Sequence, residues 1–288
     1  MQDSQDLIRR LNRRGEPLSK SHRRIAAFIA QHYDKAVFMT ASALGVHCGV
    51  SESTVVRFAA AMGYEGYPQL QNTLRNLVHQ LLTAEQRFAI ATEIKENDVL
   101  RTVLKNDAQN IRQTVESLPQ QDFNDVVRRI LASRRIYVMG LRSAAPLALF
   151  LYHYLHQILD GVTLVQTTIG DVFEEIVRIG EGDLLIGLSF PRYSTRTLEC
   201  MRFARAEGAE VVGITDGRLS PLYQVAHICL CAQTDMASFV DSLAAPLSVI
   251  NALIVSVGLN RREELRHHFN RLEEIWNDQR VYIDKEHA

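Results

Sequence analysis

The sequence has little cysteine and no long uninterrupted hydrophobic run. Its four cysteines, Cys48, Cys200, Cys229 and Cys231, show no CxxC spacing and no accompanying histidine pattern, which predicts reduced thiols and indicates neither a metal nor another cofactor. The longest apolar run, residues 243–259, contains polar residues and is short for a membrane span, so we expect no membrane partner. No apolar segment follows the N-terminal charges, so we expect no secretory signal and a cytoplasmic protein.

Neither sign of charge dominates, since the net charge is −1, but the charge is unevenly distributed. Residues 1–80 contain 10 Lys and Arg against 6 Asp and Glu, whereas the remainder contains 22 against 27. A chain of 288 residues is long enough for two domains. The modest positive excess at the front would favour approach to phosphate groups.

Residues 44–58 have the pattern of a helix-turn-helix. Gly49 can make the tight turn, and Ser51 is expected to cap the second helix by accepting a backbone N–H bond. One apolar face with helical spacing follows, formed by Val55, Phe58, Ala59 and Met62. An ordinary helical hairpin is the alternative interpretation.

The exposed side of this second helix would enter the major groove of DNA. Candidate contacts, on this side or beside it, are Ser51, Glu52, Ser53, Thr54, Arg57, Tyr64, Tyr67 and Lys20. Arg57 could serve a base edge or a phosphate, and Glu52 could accept from cytosine or stabilise the helix start. Packing explains the two tyrosines equally well, and Lys20 could simply be solvated.

The remaining front of the chain is predicted to be helical. Four more helices are expected. The first covers residues 5–14, the second begins after Ser19, and the third begins at Thr40 or Ser42. The fourth contains Leu70, Leu74, Leu77, Val78 and Leu81 at helical spacing. These predict an all-α domain over residues 1–82, a linker at 83–97 and a second domain over 98–288.

From residue 98 the pattern is two helices, 98–117 and 122–132, and then alternating strands and helices. The expected strands are Ile136–Met139, Val162–Gln166, Asp183–Ser189, Glu210–Thr215 and His227–Cys231, with helices near 144–159, 171–179, 194–207 and 219–225. This alternation predicts an α/β domain, with a parallel five-stranded sheet covered by helices on both faces.

Ligands in such sheets bind at the carboxyl ends of the strands. Three of these ends carry residues suited to an anion: Gly140, Arg142, Ser143, Ser189, Arg192, Tyr193, Ser194, Thr195, Thr215 and Ser220. Each Ser or Thr could instead be only a helix cap.

The chain resembles the RpiR (MurR/RpiR) transcription regulators. The residues that carry the likeness are Leu18-Ser-Lys-Ser, Thr40-Ala-Ser-Ala-Leu, Gly49-Val-Ser-Glu-Ser-Thr-Val-Val-Arg-Phe58 and Met62-Gly-Tyr-Glu-Gly-Tyr-Pro68. From about residue 120 it resembles the SIS (sugar isomerase) domain. The resemblance implies a regulator that binds a double-stranded operator and responds to a phosphorylated sugar or related metabolite.

Two loops depart from the SIS patterns. Arg142 replaces the second glycine of Gly-x-Gly-x-Ser, and Ser189-Phe-Pro-Arg192-Tyr193-Ser194-Thr195 replaces Ser-x-Ser-Gly-x-Thr. Two arginines favour a strongly anionic ligand, with a carboxylate beside or instead of a phosphate. Alternatively, one of them pairs with Asp171 or Glu174.

The sequence is compatible with two other classes of function. An isomerase would need a proton-transferring base, for which Glu174, Glu175, His153 and His156 are candidates. An architectural DNA-binding protein would need no ligand.

For a helix-turn-helix regulator we expect a homodimer or homotetramer. The helices expected over Ala244–Val257 and Arg261–Asn277 are candidate interfaces, with core packing as the alternative.

Overall fold

The computed structural model describes residues 19–37, 39–71, 73–74, 83–91, 96–167, 170–236 and 239–282. The chain divides into two compact units, one comprising residues 1–103 with 236–241, the other residues 104–235 with 242–288. The helix predicted over 5–14 lies outside the described residues, as do Leu77, Val78 and Leu81. The predicted linker lies within the first unit.

The described part of the first unit is helical. Its helices are α1 Lys20–Gln31, α2 Tyr33–Ala36, α3 Ala41–Cys48, α4 Glu52–Ala61 and α5 Ala84–Ala91, and residues 67–71 and 73–74 are also helical. Ser19 caps α1 by accepting the His22 N–H at 3.2 Å, and Thr40 caps α3 by accepting the Ala43 N–H at 3.1 Å. The apolar residues predicted from helical spacing form one buried core: Ile25, Ile29, Leu44, Val55, Phe58 and Leu70.

Helix α6, Val99–Ser117, contains the division between the units, and α7 spans Gln120–Ala132. The strands that follow are β1 Arg135–Gly140, β2 Val162–Val165, β3 Asp183–Leu188, β4 Glu210–Thr215 and β5 Ile228–Cys231. The helices beyond β1 are α8 Ala145–Ile158, α9 Val172–Glu175, α10 Thr195–Ala206, α11 Pro221–Val225, α12 Ala244–Asn260 and α13 Arg262–Asp278.

All strand pairs are parallel, in the order β2-β1-β3-β4-β5. Helices α7, α8 and α12 cover one face around Leu151 and Leu253, and α9, α10 and α11 cover the other around Met201 and Leu222. Every residue of β3 is buried, because this strand lies inside the sheet and both of its faces are covered. The predicted α/β architecture is confirmed.

The helix expected over 171–179 is shorter, because α9 ends at Glu175. The chain must turn there to enter β3, and the Gly180 N–H donates to the buried Asp183 carboxylate at 3.1 Å. Asp183 also accepts from Arg134 and Arg135. Burial pushes the pKa of Asp183 upward, but the hydrogen bonds from Arg135, Arg134 and Gly180 bring it below its ordinary value.

No single helix in the described ranges is long and apolar enough to cross a membrane. Helices α12 and α13 reach that length only together, and they meet at a bend of 101°.

Candidate functional site

The turn between α3 and α4 has the tight geometry that the glycines predict. Gly49 ends α3 at φ +60°, and the Val50 N–H donates to the Gly45 carbonyl at 2.8 Å. A Cβ on Gly45 would lie 2.8 Å from the Val50 carbonyl oxygen, closer than real Cβ contacts allow. The crossing of the two helices therefore depends on glycine at both positions.

Helix α4 separates its residues by polarity as predicted. Val55, Phe58 and Ala59 are buried, whereas Glu52, Ser53, Val56 and Arg57 are exposed and line one shallow concave surface. Among these four, Val56 was absent from the predicted contacts. Its position out of phase with the apolar stripe is the sequence signal that would have revealed it.

The prediction for the Ser51 side chain is wrong, although Ser51 occupies the cap position. Its hydroxyl accepts no backbone N–H; it bonds instead to the hydroxyls of Ser53 at 3.0 Å and Thr54 at 2.8 Å. Arg57 extends back along the same turn, with Nε 3.3 Å from the Ser53 carbonyl oxygen. The three hydroxyls and the guanidinium thus form one polar cluster at the start of α4.

The three flanking candidates differ in exposure. Lys20 is exposed at the start of α1. Tyr67 is only 4% exposed and donates from its hydroxyl to the Met39 carbonyl at 2.8 Å, so its predicted contact with DNA is wrong and the packing alternative holds. Tyr64 is half-buried and packs against the same core.

In the second unit, the order of the strands places a topological switch point between β1 and β3, where a crevice is expected. The chain leaves β1 toward β2 on one side and leaves β3 toward β4 on the other, and such switch points are where ligands bind in parallel sheets. Gly140 and Leu188 are paired at the ends of these strands. The first loop, which follows Gly140, and the second loop, which follows Leu188, therefore begin at the same level.

Two arginines in these loops adopt the left-handed conformation that usually requires glycine. Arg142 has φ +57° and Arg192 has φ +64°, and both are exposed. With Ser189 aligned on the first serine of Ser-x-Ser-Gly-x-Thr, the glycine falls at position 192. Both arginines thus keep the glycine conformation while adding a cation, at a cost of about 1 kcal/mol each.

Neither guanidinium group forms an ion pair or hydrogen bond with the residues that the structure describes. The proposed internal partner Asp171 instead accepts the Phe173 N–H and lies 3.3 Å from Arg196. Glu174 is exposed, and no described contact joins it to Arg142 or Arg192. Within this part of the chain, internal pairing of the two arginines is not seen.

The third loop, residues 216–220, follows β4 and braces the second loop. Thr215 and Ser220 are buried and share a 2.7 Å hydroxyl bond, and Thr215 also donates to the Ser189 carbonyl at 2.8 Å. Tyr193 donates to the Asp216 carboxylate at 2.8 Å. Both side chains are used inside the loops in this conformation, and their predicted contact with a ligand stays a prediction.

Ser194 fulfils the capping alternative, and Ser189 forms a hydrogen bond within the second loop. Ser189 is 3% exposed and accepts the Ser194 N–H at 3.0 Å, while Ser194 accepts the Thr197 N–H at 3.2 Å and begins α10. The candidates that remain exposed at the sheet edge are Arg142, Ser143, Arg192 and Thr195, beside the half-buried Tyr193. Gly140 has a steric role, since a Cβ there would lie 2.7 Å from the Ala144 carbonyl oxygen.

The four candidate bases for isomerisation are exposed side chains on α8 and α9. His153 and His156 lie about 12 and 16 Å along α8 from its first residue, which is the end next to the loops. His156 stacks on Tyr152, and His153 contacts Gln157. Glu174 and Glu175 are exposed on α9, a helix of 4 residues.

The cysteines are free thiols, as predicted. Burial raises the pKa of Cys200, Cys229 and Cys231 to about 12, so these thiols stay protonated at neutral pH and are poor nucleophiles. The described residues contain no cluster of His, Cys, Asp or Glu that could hold a metal ion.

Comparison with known proteins agrees with this geometry. Residues 5–80 match the family described as "Helix-turn-helix domain, rpiR family", and residues 129–256 match the SIS domain. The HTH-type transcriptional regulator HexR of Pseudomonas aeruginosa is 26% identical, over 98% of this chain and 99% of its own. HexR of Escherichia coli is 22% identical over 96% of each chain.

Solved structures share the fold. The sugar isomerase domain of an RpiR transcription factor from Sphaerobacter thermophilus has a TM-score of 0.59 and 22% identity, covering 62% of this chain and 99% of its own. Vibrio vulnificus NanR, solved in complex with ManNAc-6P, has a TM-score of 0.58 and 20% identity, covering 95% of this chain and 98% of its own. With its rpiR-type helix-turn-helix in front of a SIS domain, the chain belongs to the RpiR family of transcriptional regulators.

Proposed function

We propose that this regulator binds an operator through α4 and that a phosphorylated sugar or related anionic metabolite, bound in the crevice between β1 and β3, controls its affinity for that operator. The observation that carries the proposal is the pair Arg142 and Arg192. Each adopts a costly backbone conformation, each is exposed, and they flank the crevice on its two sides.

The ligand is an anion because exposed guanidinium groups bind carboxylates and phosphates in a fork-shaped geometry. Where the SIS patterns have glycine, this chain has Arg142 and Arg192, which add two positive charges. A sugar acid that carries both a phosphate and a carboxylate would engage one arginine with each group. The NanR complex with a sugar phosphate supports the phosphate.

The proposal includes a homodimer or homotetramer that binds a pseudo-palindromic operator, because one reading helix contacts too few bases for useful specificity. Helix α13 supports this part. It has no buried residue, although Leu265, Phe269, Leu272 and Trp276 recur with helical spacing. Helix α12 also leaves Val255 and Leu259 each 60% exposed beside its buried face.

The test is a thermal-shift screen of the full chain against phosphorylated sugars and sugar acids, followed by DNA-binding measurements with each stabilising compound. We expect at least one anionic compound to raise the melting temperature and to change the affinity for a selected operator. A stabilising compound that leaves DNA affinity unchanged would contradict the control mechanism. Turnover of that compound would instead favour an isomerase.

A further inference from the structure

Val56 is an exposed apolar side chain on an otherwise polar surface. It is 42% exposed, and the same concave face of α4 is completed by Glu52, Ser53 and Arg57. Its neighbour in sequence, Val55, is fully buried in the core of the first unit. Val56 therefore contributes little to the core, and its surroundings are polar groups suited to contact nucleic acid.

The polar residues of this face hold one another in place around Val56. Ser51, Ser53 and Thr54 share their hydroxyls, and the Arg57 guanidinium lies against the Ser53 carbonyl. These bonds fix the first turn of α4 without using Val56. Val56 thus presents an apolar side chain beside the Glu52 carboxylate and the Arg57 guanidinium.

Among the base edges in the major groove of unmodified DNA, only thymine carries a methyl group, and the other edges present mainly hydrogen-bond donors and acceptors. Thymine is therefore the base whose edge best matches an exposed valine side chain. We propose that Val56 determines part of the operator sequence by packing against a thymine methyl, while Arg57 contacts a neighbouring base edge or phosphate. The inference rests on the proposed function and names one base that α4 reads.

The test begins with the full chain and a library of duplexes that carry a randomised central segment. After a preferred sequence is selected, each thymine is replaced in turn by uracil, which removes only the methyl group. We expect uracil at one thymine in each half-site to lower the affinity of the native protein about fourfold, the effect of one buried methyl group.

The Val56→Ala protein should bind the thymine operator more weakly than the native protein and should no longer distinguish thymine from uracil at that position. This cycle isolates the contact from general effects of the substitution. Val46→Ala is the matched control, since Val46 is 78% exposed but belongs to α3, and it should keep the native preference.

Circular dichroism should show equal folding of both variants, because neither valine is in the core. Equal affinity of the native protein for every uracil operator would overturn the inference alone, as would a preference retained by Val56→Ala. Failure of the native protein to select any sequence would overturn the proposed function as well.

Discussion

Gly140 lies directly beside Leu188 as the last pair between β1 and β3. Because the strands are parallel, the first and second loops leave the sheet from adjacent points and in the same direction. The proposed anion, seated there, would meet Arg142 from one loop and Arg192 from the other. The register of the sheet therefore brings together residues that are far apart in the sequence.

Replacement of Arg142 by glycine or alanine should separate the cost of its backbone strain from the contribution of its guanidinium to ligand binding. At an ordinary position alanine is the more stabilising residue, but at φ +57° the order should reverse, with the glycine variant more stable by about 1 kcal/mol. Both variants should lose response to the anionic effector. Urea unfolding and ligand titration measure the two effects, and the same pair at Arg192 provides an independent repeat. A glycine variant with native ligand affinity would contradict the role assigned to the guanidinium.

Gly140→Ala should destabilise the second unit by about 1–3 kcal/mol, because its new Cβ would meet the Ala144 carbonyl oxygen at 2.7 Å and the Ala148 Cβ at 2.9 Å. Gly217→Ala is the matched control, since nothing lies within 4 Å of a Cβ at that position. Urea midpoints of the two variants compare the positions directly. Equal midpoints would show that the first loop relaxes around the added methyl.

His227 should make the protein less stable toward acid. Burial lowers the pKa of His227, as do the nearby Arg205 and Arg129, and its Nδ1 accepts the Val211 N–H at 2.9 Å. The unfolded chain therefore binds a proton more readily than the folded one. This contribution to the free energy of unfolding is present above the ordinary pKa of 6.5 and is lost as the pH falls from there toward the lower folded value.

Urea unfolding of the native protein and of His227→Gln at about pH 7.5 and about pH 5.5 measures that contribution. The variant should show the smaller loss on acidification, because it lacks the titrating imidazole. Identical losses in the two proteins would contradict the assignment to His227.

Charge placed on the exposed face of α12 should dissociate the homodimer or homotetramer that we propose. Val255→Lys with Leu259→Lys puts two cations where we expect apolar contact with a second copy. Sedimentation velocity should show a smaller species, and operator affinity should fall with it. Val177→Lys changes another exposed valine, 66% exposed, outside these helices and should leave the native species unchanged.

The fold was predictable from the sequence because its strongest signals are local. Strands buried on both faces appear as short continuous apolar runs, and α4 shows its buried stripe at helical spacing. The strand order is not a local property. Only the order places the loop after β4 beside β3 and away from β1, and this explains why Thr215 and Ser220 brace the second loop.

The side-chain predictions failed where one residue type has two roles. A serine hydroxyl can cap a helix by accepting one of the N–H groups of its first turn, or it can bond to another hydroxyl. The sequence does not show that Ser19 does the first and Ser51 the second. A tyrosine after a helix can face solvent or core, and burial decided against Tyr67. The left-handed arginines followed no local rule, because glycine would be expected at that conformation.

The contact between Gly45 and Val50 limits how such a regulator can be switched. Backbone touches backbone there, and even one added carbon would lie 2.8 Å from the carbonyl oxygen. The angle between α3 and α4 cannot widen or narrow by gradual adjustment without breaking the 2.8 Å hydrogen bond beside it. If an effector controls affinity for the operator as we propose, it would displace α3 and α4 together as a rigid body, leaving the angle between them intact.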